Sequence, residues 1–170
     1  QIRKRINFIF GGEMGVYRRL SARDNLRYFA NLYLLDTTER ERRIDEILEL
    51  VELTDAADRL AETYSKGMIQ RLQIARGLIN NPEILFMDEP TVGLDPLGAH
   101  MLRDIIRKLR DEGKTVLLTT HYLPEAEELC NRMVILNHGE IVAQGTPAEI
   151  KGDDATLEDA YIQLIKGDAK

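Results

Sequence analysis

Two adjacent carboxylates, Asp88 and Glu89, close the apolar run Ile84-Leu85-Phe86-Met87 and are followed by Pro90. At the end of a buried strand such a pair can divide two tasks: one carboxylate holds Mg²⁺, directly or through water, and its neighbour orients or deprotonates an attacking water. The plainer reading is a loop or helix cap, because acidic residues often follow strands for that reason alone. A second candidate lies upstream in Tyr64-Ser65-Lys66-Gly67-Met68-Ile69-Gln70-Arg71. Here a serine hydroxyl, a glycine that permits close approach and the free amides of a helix start make a ready phosphate site. Any Ser-capped helix offers the same fragment, so this pattern gains meaning only in company. The third candidate is His121, just beyond the apolar run Val116–Thr119. A lone histidine after a strand is usually structural.

The elements that must position these residues are legible from periodicity. Ile6 to Phe10 is a short β-prone run that meets Gly11-Gly12. A helix is predicted from about Ser21, with Asp24 three residues on, and an amphipathic helix from Thr38, where Ile44, Ile47, Leu48 and Val51 share a face and Thr38 and Glu41 have capping-box spacing. A further helix starts after Ser65, with Ile69, Leu72, Ala75 and Ile79 on one face, and stops before Asn80-Asn81-Pro82. From Glu83 the rhythm changes: Ile84–Met87, Val116–Thr119 and Met133–Leu136 read as three buried parallel strands. Between the first two, Asp95 caps and Pro96 opens a helix whose inner stripe is Leu102, Ile105, Ile106 and Leu109. Asn137-His138-Gly139-Glu140 turns the third run back into Ile141 to Ala143 as a hairpin. The pattern implies an α/β sheet with a helical lobe inserted between Leu26 and Asn80.

Taken in order, these segments resemble the ATP-binding-cassette (ABC) transporter ATPase domain. The Tyr64–Arg71 segment is similar to that family's signature, Leu-Ser-Gly-Gly-Gln, a variable residue, then Gln-Arg: Ser65, Gly67, Gln70 and Arg71 agree, and Tyr64, Lys66 and Met68 depart. The acidic strand resembles Walker B, Gly93-Leu94-Asp95 resembles the D-loop, and Thr119-Thr120-His121 resembles the switch histidine, all in family order. Residues 139–150 look like the segment that closes transporter ATPases, and Thr156-Leu157-Glu158-Asp159-Ala160-Tyr161 resembles an ending common among exporters. The resemblance implies a partial RecA-like P-loop NTPase core, a parallel sheet flanked by helices, with an inserted α-helical subdomain and without the N-terminal P-loop strand and helix. It divides the chain into core with the Q-loop region (1–27), helical subdomain with the signature (28–82), catalytic core (83–150) and a helical tail (151–170).

The same resemblance implies the nucleotide-binding subunit of an exporter, with ATP and Mg²⁺ as ligands. Asp88 would support Mg²⁺, Glu89 would polarise the hydrolytic water and His121 would contact the γ-phosphate. Ser65, Lys66, Gly67 and Met68 would meet ATP bound to a second such subunit arranged head to tail, and Asp95 would link the two sites. Gly12 falls where the Q-loop glutamine normally stands; either Glu13 substitutes for it or backbone movement does. Gly15 to Arg23 corresponds to the docking region for the transmembrane permease, which gives Tyr17, Arg18 and Arg19 a role. Nothing in the 170 residues matches Gly-x-x-x-x-Gly-Lys-Ser/Thr, so this stretch taken alone is expected to bind ATP poorly, and to leave a sheet edge and apolar surface exposed.

Bulk properties bound the alternatives. With 44% apolar and 31% charged residues, the chain can bury one sizeable core, and its net charge of −6 argues against general nucleic-acid binding. Arg18, Arg19, Arg23 and Arg27 read either as a solvated face or as a docking surface. The single cysteine, Cys130, reads as a free buried thiol in a reducing cytoplasm. The apolar runs fall short of the roughly 18 residues that cross a bilayer, so a membrane connection is expected only through a partner, on the cytoplasmic face. A DNA-repair or chromosome-structure ATPase would need a long heptad coiled coil in place of the short helical lobe. A translation factor usually carries two cassettes and basic linkers, and a non-enzymatic remnant of a transporter domain is the remaining alternative.

Overall fold

Strand β1 (Ile6–Phe10) pairs in parallel with β2 (Ile84–Asp88), which pairs in parallel with β3 (Thr115–Thr119), giving the sheet order β1-β2-β3. This arrangement comes from a computed structural model that describes residue 2 and residues 5–10 and 15–168. Two compact units are resolved within the chain, Gln1–Thr119 and Thr120–Lys170.

In the first unit the sheet alternates strictly between its two faces. Ile9, Leu85 and Met87 are buried on one face. Helix α3 (Lys66–Leu78) lies so close to it that a Cβ on Gly77 would sit 2.4 Å from Ile9 Cγ1. On the other face Phe8, Phe86 and Leu117 fall in one row of the register, and Phe8 stacks on Phe86 with ring centroids 4.6 Å apart. That face is open: Phe8 is 41% and Leu117 56% exposed. The apolar runs of β2 and β3 are therefore covered on one side only, not buried on both as continuous runs suggest.

The helices follow their sequence signals with instructive exceptions. Helix α1 (Ala22–Leu32) is capped by Ser21, whose Oγ accepts from the Asp24 amide, as its sequence predicts. Helix α2 (Thr37–Leu50) begins two residues earlier than a Thr38–Glu41 capping box would start it. Asp36 supplies the cap, accepting from the Thr38 and Glu39 amides at 2.8 and 3.3 Å. Helix α3 buries Gln70, Gln73, Ile74 and Leu78 besides the predicted stripe, so it is sheathed over most of its circumference. Helix α4 (Pro96–Asp111) is capped by Asp95 and buries Leu102, Ile105, Ile106 and Leu109, as predicted.

In the second unit α5 (Leu123–Leu129) precedes β4 (Met133–Asn137) and β5 (Glu140–Gly145). These two strands pair antiparallel as a separate sheet, so Met133–Leu136 is not a third parallel strand. The turn is the expected hairpin, with His138 at φ 48° and Gly139 at φ 86°, the paired left-handed conformation that two-residue hairpins favour. Helix α6 (Pro147–Lys151) carries a complete capping box from Thr146 and Glu149, and α7 (Leu157–Asp168) follows. Leu129, Ile135, Leu157 and Ala160 are buried here. Cys130 is half-buried rather than buried, at the end of α5, and its thiol is pushed above the usual range by desolvation and then by Glu125.

Candidate functional site

The acidic pair is shaped by the pleat of β2. With Leu85 and Met87 turned into the core, Asp88 falls on the opposite face at the strand end and is exposed. Its in-register neighbour is Thr119, whose hydroxyl donates to the Asp88 carboxylate. At Glu89 the chain leaves strand geometry abruptly, with φ at 46°. A left-handed conformation costs a non-glycine residue roughly 1–2 kcal/mol and persists only where the surroundings impose it. Here the Glu89 amide donates to the Thr119 carbonyl at 3.0 Å, and the Val92 amide donates to the Glu89 carbonyl at 3.2 Å. Glu89 itself is half-buried.

The serine-glycine helix start is accessible. Ser65 and Lys66 are exposed, while Gly67 and Met68 are half-buried. Ser65 Oγ accepts from the Met68 amide at 3.2 Å, leaving its own proton to donate. The amides of Lys66 and Gly67 precede the first intrahelical bond, from Ile69 to the Ser65 carbonyl. A Cβ on Gly67 would meet nothing nearer than Ser65 Oγ at 4.0 Å, so the space above the first turn is open. Tyr64, where the signature carries leucine, buries its ring and donates its hydroxyl to the Ala56 carbonyl at 2.6 Å. Burial pushes that phenol above its usual pKa.

Asp95 is exposed and accepts from the Gly98 amide at 2.8 Å. A Cβ on Gly98 would lie 2.8 Å from that same oxygen, so the cap is tight. Asp88, Glu89, Asp95 and the segment Ser65 to Met68 all belong to the first unit, whereas His121 belongs to the second. His121 is exposed, in the bend where the Tyr122 amide donates to Thr120 Oγ1 at 3.0 Å. Gly12 lies outside the described residues.

Three side chains matter here to which the sequence assigned no role. Asn25 is buried on α1 and binds the stretch before the helix, accepting from the Tyr17 amide at 2.8 Å and donating to the Tyr17 and Ser21 carbonyls. Backbone bonds from Ala61 to Leu20 and from Glu62 to Arg18 fix the same stretch from the other side. Above it, Tyr17 and Tyr28 meet edge to face at 4.9 Å, and both are substantially exposed. Arg76 on α3 reaches the Gly15 carbonyl at 3.2 Å and the Phe8 carbonyl at 3.4 Å and lies over the Phe29 ring. Burial lowers its pKa from the ordinary arginine value. Gln70 donates to the Pro90 carbonyl. A polar residue on the inward stripe of a helix was the available signal for Asn25, and motif agreement was the signal for Gln70.

The Ser65 hydroxyl and the amides of Lys66 and Gly67 are donors that suit a nucleotide phosphate, and the carboxylates of Asp88 and Glu89 are oxygen ligands that suit Mg²⁺. Among the described residues no group of three or more His, Cys, Asp or Glu side chains is arranged to hold a metal ion. Mg²⁺ is commonly bound by one or two carboxylates together with substrate phosphates, so an exposed Asp88 at a strand end fits it without a full protein cage. No helix among the described residues is long and apolar enough to cross a membrane.

The sequence profile described as "ABC transporter" matches residues 1–92. The ABC transporter ATP-binding protein NatA of Bacillus subtilis is 35% identical over 166 residues, which are 98% of this chain and 68% of NatA. A fluoroquinolones export ATP-binding protein of Mycobacterium tuberculosis is 47% identical over 135 residues, covering 79% of this chain; the chain spans 44% of that protein's length. A solved ATP-binding subunit of an ABC transporter superposes with a TM-score of 0.85 at 32% identity, over 96% of this chain and 69% of that one.

Proposed function

The chain belongs to the ABC transporter family of ATP-binding domains, and from that premise we propose that it works as the nucleotide-binding subunit of an exporter, coupling ATP binding and hydrolysis to movement in a membrane permease. Members of the family bind ATP and are ATPases. The observation that carries the reading for this chain is the turn at Glu89: a half-buried carboxylate, held in left-handed backbone directly after an exposed Asp88 at the end of a parallel strand. Parallel α/β sheets bind ligands beyond the carboxyl ends of their strands, where this pair stands.

In this reading Asp88 holds Mg²⁺, which when bound neutralises phosphate charge and orients the terminal phosphate. Glu89 accepts a proton from, or orients, the water that attacks the γ-phosphate; for His121, which belongs to the second unit, the motif alone supports a contact to that phosphate. Ser65 donates its hydroxyl proton, and the amides of Lys66 and Gly67 line the approach, to ATP carried by a second subunit placed head to tail. Met68 brings its side chain, since its amide already serves Ser65. Asp95 stands beside the same interface and links the two sites. Gly12 takes the Q-loop position by the resemblance alone. The exposed Tyr17, with Arg18 and Arg19 beside it, docks the permease on the cytoplasmic face. The export direction draws on the mycobacterial relative, which is named for fluoroquinolone export.

The test is Glu89→Gln in the full-length protein. Amide for carboxylate keeps the shape and removes the base, so hydrolysis is expected to fall by about 10²-fold or more while ATP still drives dimer formation, read by size-exclusion chromatography. Turnover at the normal rate would remove Glu89 from the reaction.

A further inference from the structure

The side-chain amide of Gln70 joins the two parts of the site just described. Gln70 lies on α3 five residues beyond Ser65 and is 5% exposed, so it does not face a ligand. Its Nε2 donates to the carbonyl of Pro90 at 3.0 Å. Pro90 directly follows Glu89, the residue in left-handed backbone. Proline has no N–H and a fixed φ, so its carbonyl is the only backbone hydrogen-bonding group by which a neighbour can hold it. The acid-bearing turn is thereby pinned from two directions: β3 holds Glu89 through the Thr119 carbonyl, and α3 holds Pro90 through Gln70.

We infer that Gln70 is a positioning residue for Glu89, and that its bond to Pro90 carries displacement of the Ser65–Gly67 helix start to the carboxylate that handles the attacking water. The inference rests on the role proposed above for Glu89 and adds a route to it. A rigid helix moves as a body, so a nucleotide engaging its first turn shifts Gln70 with it, and Pro90 follows. Misplacing a catalytic group by about 1 Å can cost about 10²-fold in rate, so a short link of this kind suffices to make hydrolysis depend on engagement of the helix start.

The experiment measures ATP hydrolysis and ATP-driven dimer formation in the full-length protein carrying Gln70→Met, Glu89→Gln, or both. Methionine matches glutamine in length and cannot donate. Gln70→Met is expected to lower kcat by about 10- to 100-fold with KM for ATP within about twofold, the signature of an interaction that counts in the transition state. In the Glu89→Gln background it is expected to lower the residual rate by less than about twofold, because the two residues act on one step. It is also expected to leave the ATP-bound dimer intact. Unchanged kcat, a full additional loss in the double variant, or loss of the dimer would overturn the inference, the last pointing to simple packing of α3. Should Gln70→Met not fold, Gln70→Glu serves instead, since a protonated glutamic acid can donate to the Pro90 carbonyl and a carboxylate cannot. Its rate relative to wild type is expected to rise at least about threefold between pH 8.5 and pH 6, burial having raised its pKa; a flat ratio would overturn the inference. Normal hydrolysis by Glu89→Gln alone would bring down the role of Glu89 itself, an outcome distinct from failure at Gln70.

Discussion

Ser65 and Glu89 illustrate how little of a residue's task is visible in its type. Ser65 caps α3 through the Met68 amide, yet stays exposed with its hydroxyl proton available. Replacing it by alanine removes both the hydroxyl donor and the cap, the latter worth about 1 kcal/mol of stability. Replacing it by arginine tests the interface, because the bulk projects into the open space above Gly67. Ser65→Arg in the full-length protein is expected to abolish ATP-driven dimerisation while ATP binding to its own subunit stays within about threefold, measured by nucleotide titration; lost binding would place Ser65 in its own subunit's site. Glu89 carries a different lesson. Its left-handed backbone is imposed by Thr119, a residue 30 positions away in the chain, and no local pattern announces it.

At the scale of elements, caps and ion pairs decide where helices begin and how they are joined. Asp36 accepts two amides at the start of α2, and Thr38, the residue with capping-box spacing, does not act as its N-cap. Asp36→Ala is therefore expected to cost about 1 kcal/mol and Thr38→Ala less than about 0.5 kcal/mol in chemical denaturation; the reverse order would restore the Thr38 cap. Between α1 and α2, Arg27 grips both oxygens of Glu41, and Arg40 adds to it. Hydrogen bonding to Arg27 holds the Glu41 carboxyl below the usual glutamate range. A depressed folded-state pKa means stability that is present above the unfolded value of about 4.3 and lost as pH falls below it. Because the pair is partly exposed, the contribution is small, roughly 0.5 kcal/mol. Arg27→Met is expected to flatten the fall in stability between about pH 5 and pH 3, followed by thermal melts across that window.

At the scale of the molecule, the open face of the three-stranded sheet dominates. Phe8, Phe10 and Leu117 are 41%, 42% and 56% exposed, and Phe8 stacks on both Phe10 and Phe86. A contiguous apolar face of this kind, beside a strand edge on β3, favours association. The 170-residue chain on its own is expected to self-associate at micromolar concentration in sedimentation velocity. Phe8→Lys together with Leu117→Lys is expected to shift it toward monomer by about tenfold in concentration, since opposed lysines on an exposed face repel copies of it. A monomer before substitution would mean that this face is not adhesive.

The amino-acid sequence by itself determined the helix starts at Ser21, Ser65 and Asp95, the apolar stripe of α4, the His138-Gly139 hairpin and the ordered set of motifs. Apart from the order of the motifs, each depends on steps of about four positions or fewer, where propensity, capping and turn chemistry act. Only the tertiary structure decided that Met133–Asn137 stays out of the parallel sheet, that one sheet face stays open, and that Gln70, Thr119 and Arg76 hold the turns and loops beside the candidate site. The hydrogen bonds among those outcomes join residues 20 to 61 positions apart in the chain. Strand partners and buried hydrogen bonds are chosen by what packing brings within about 3 Å, and no local pattern encodes that distance.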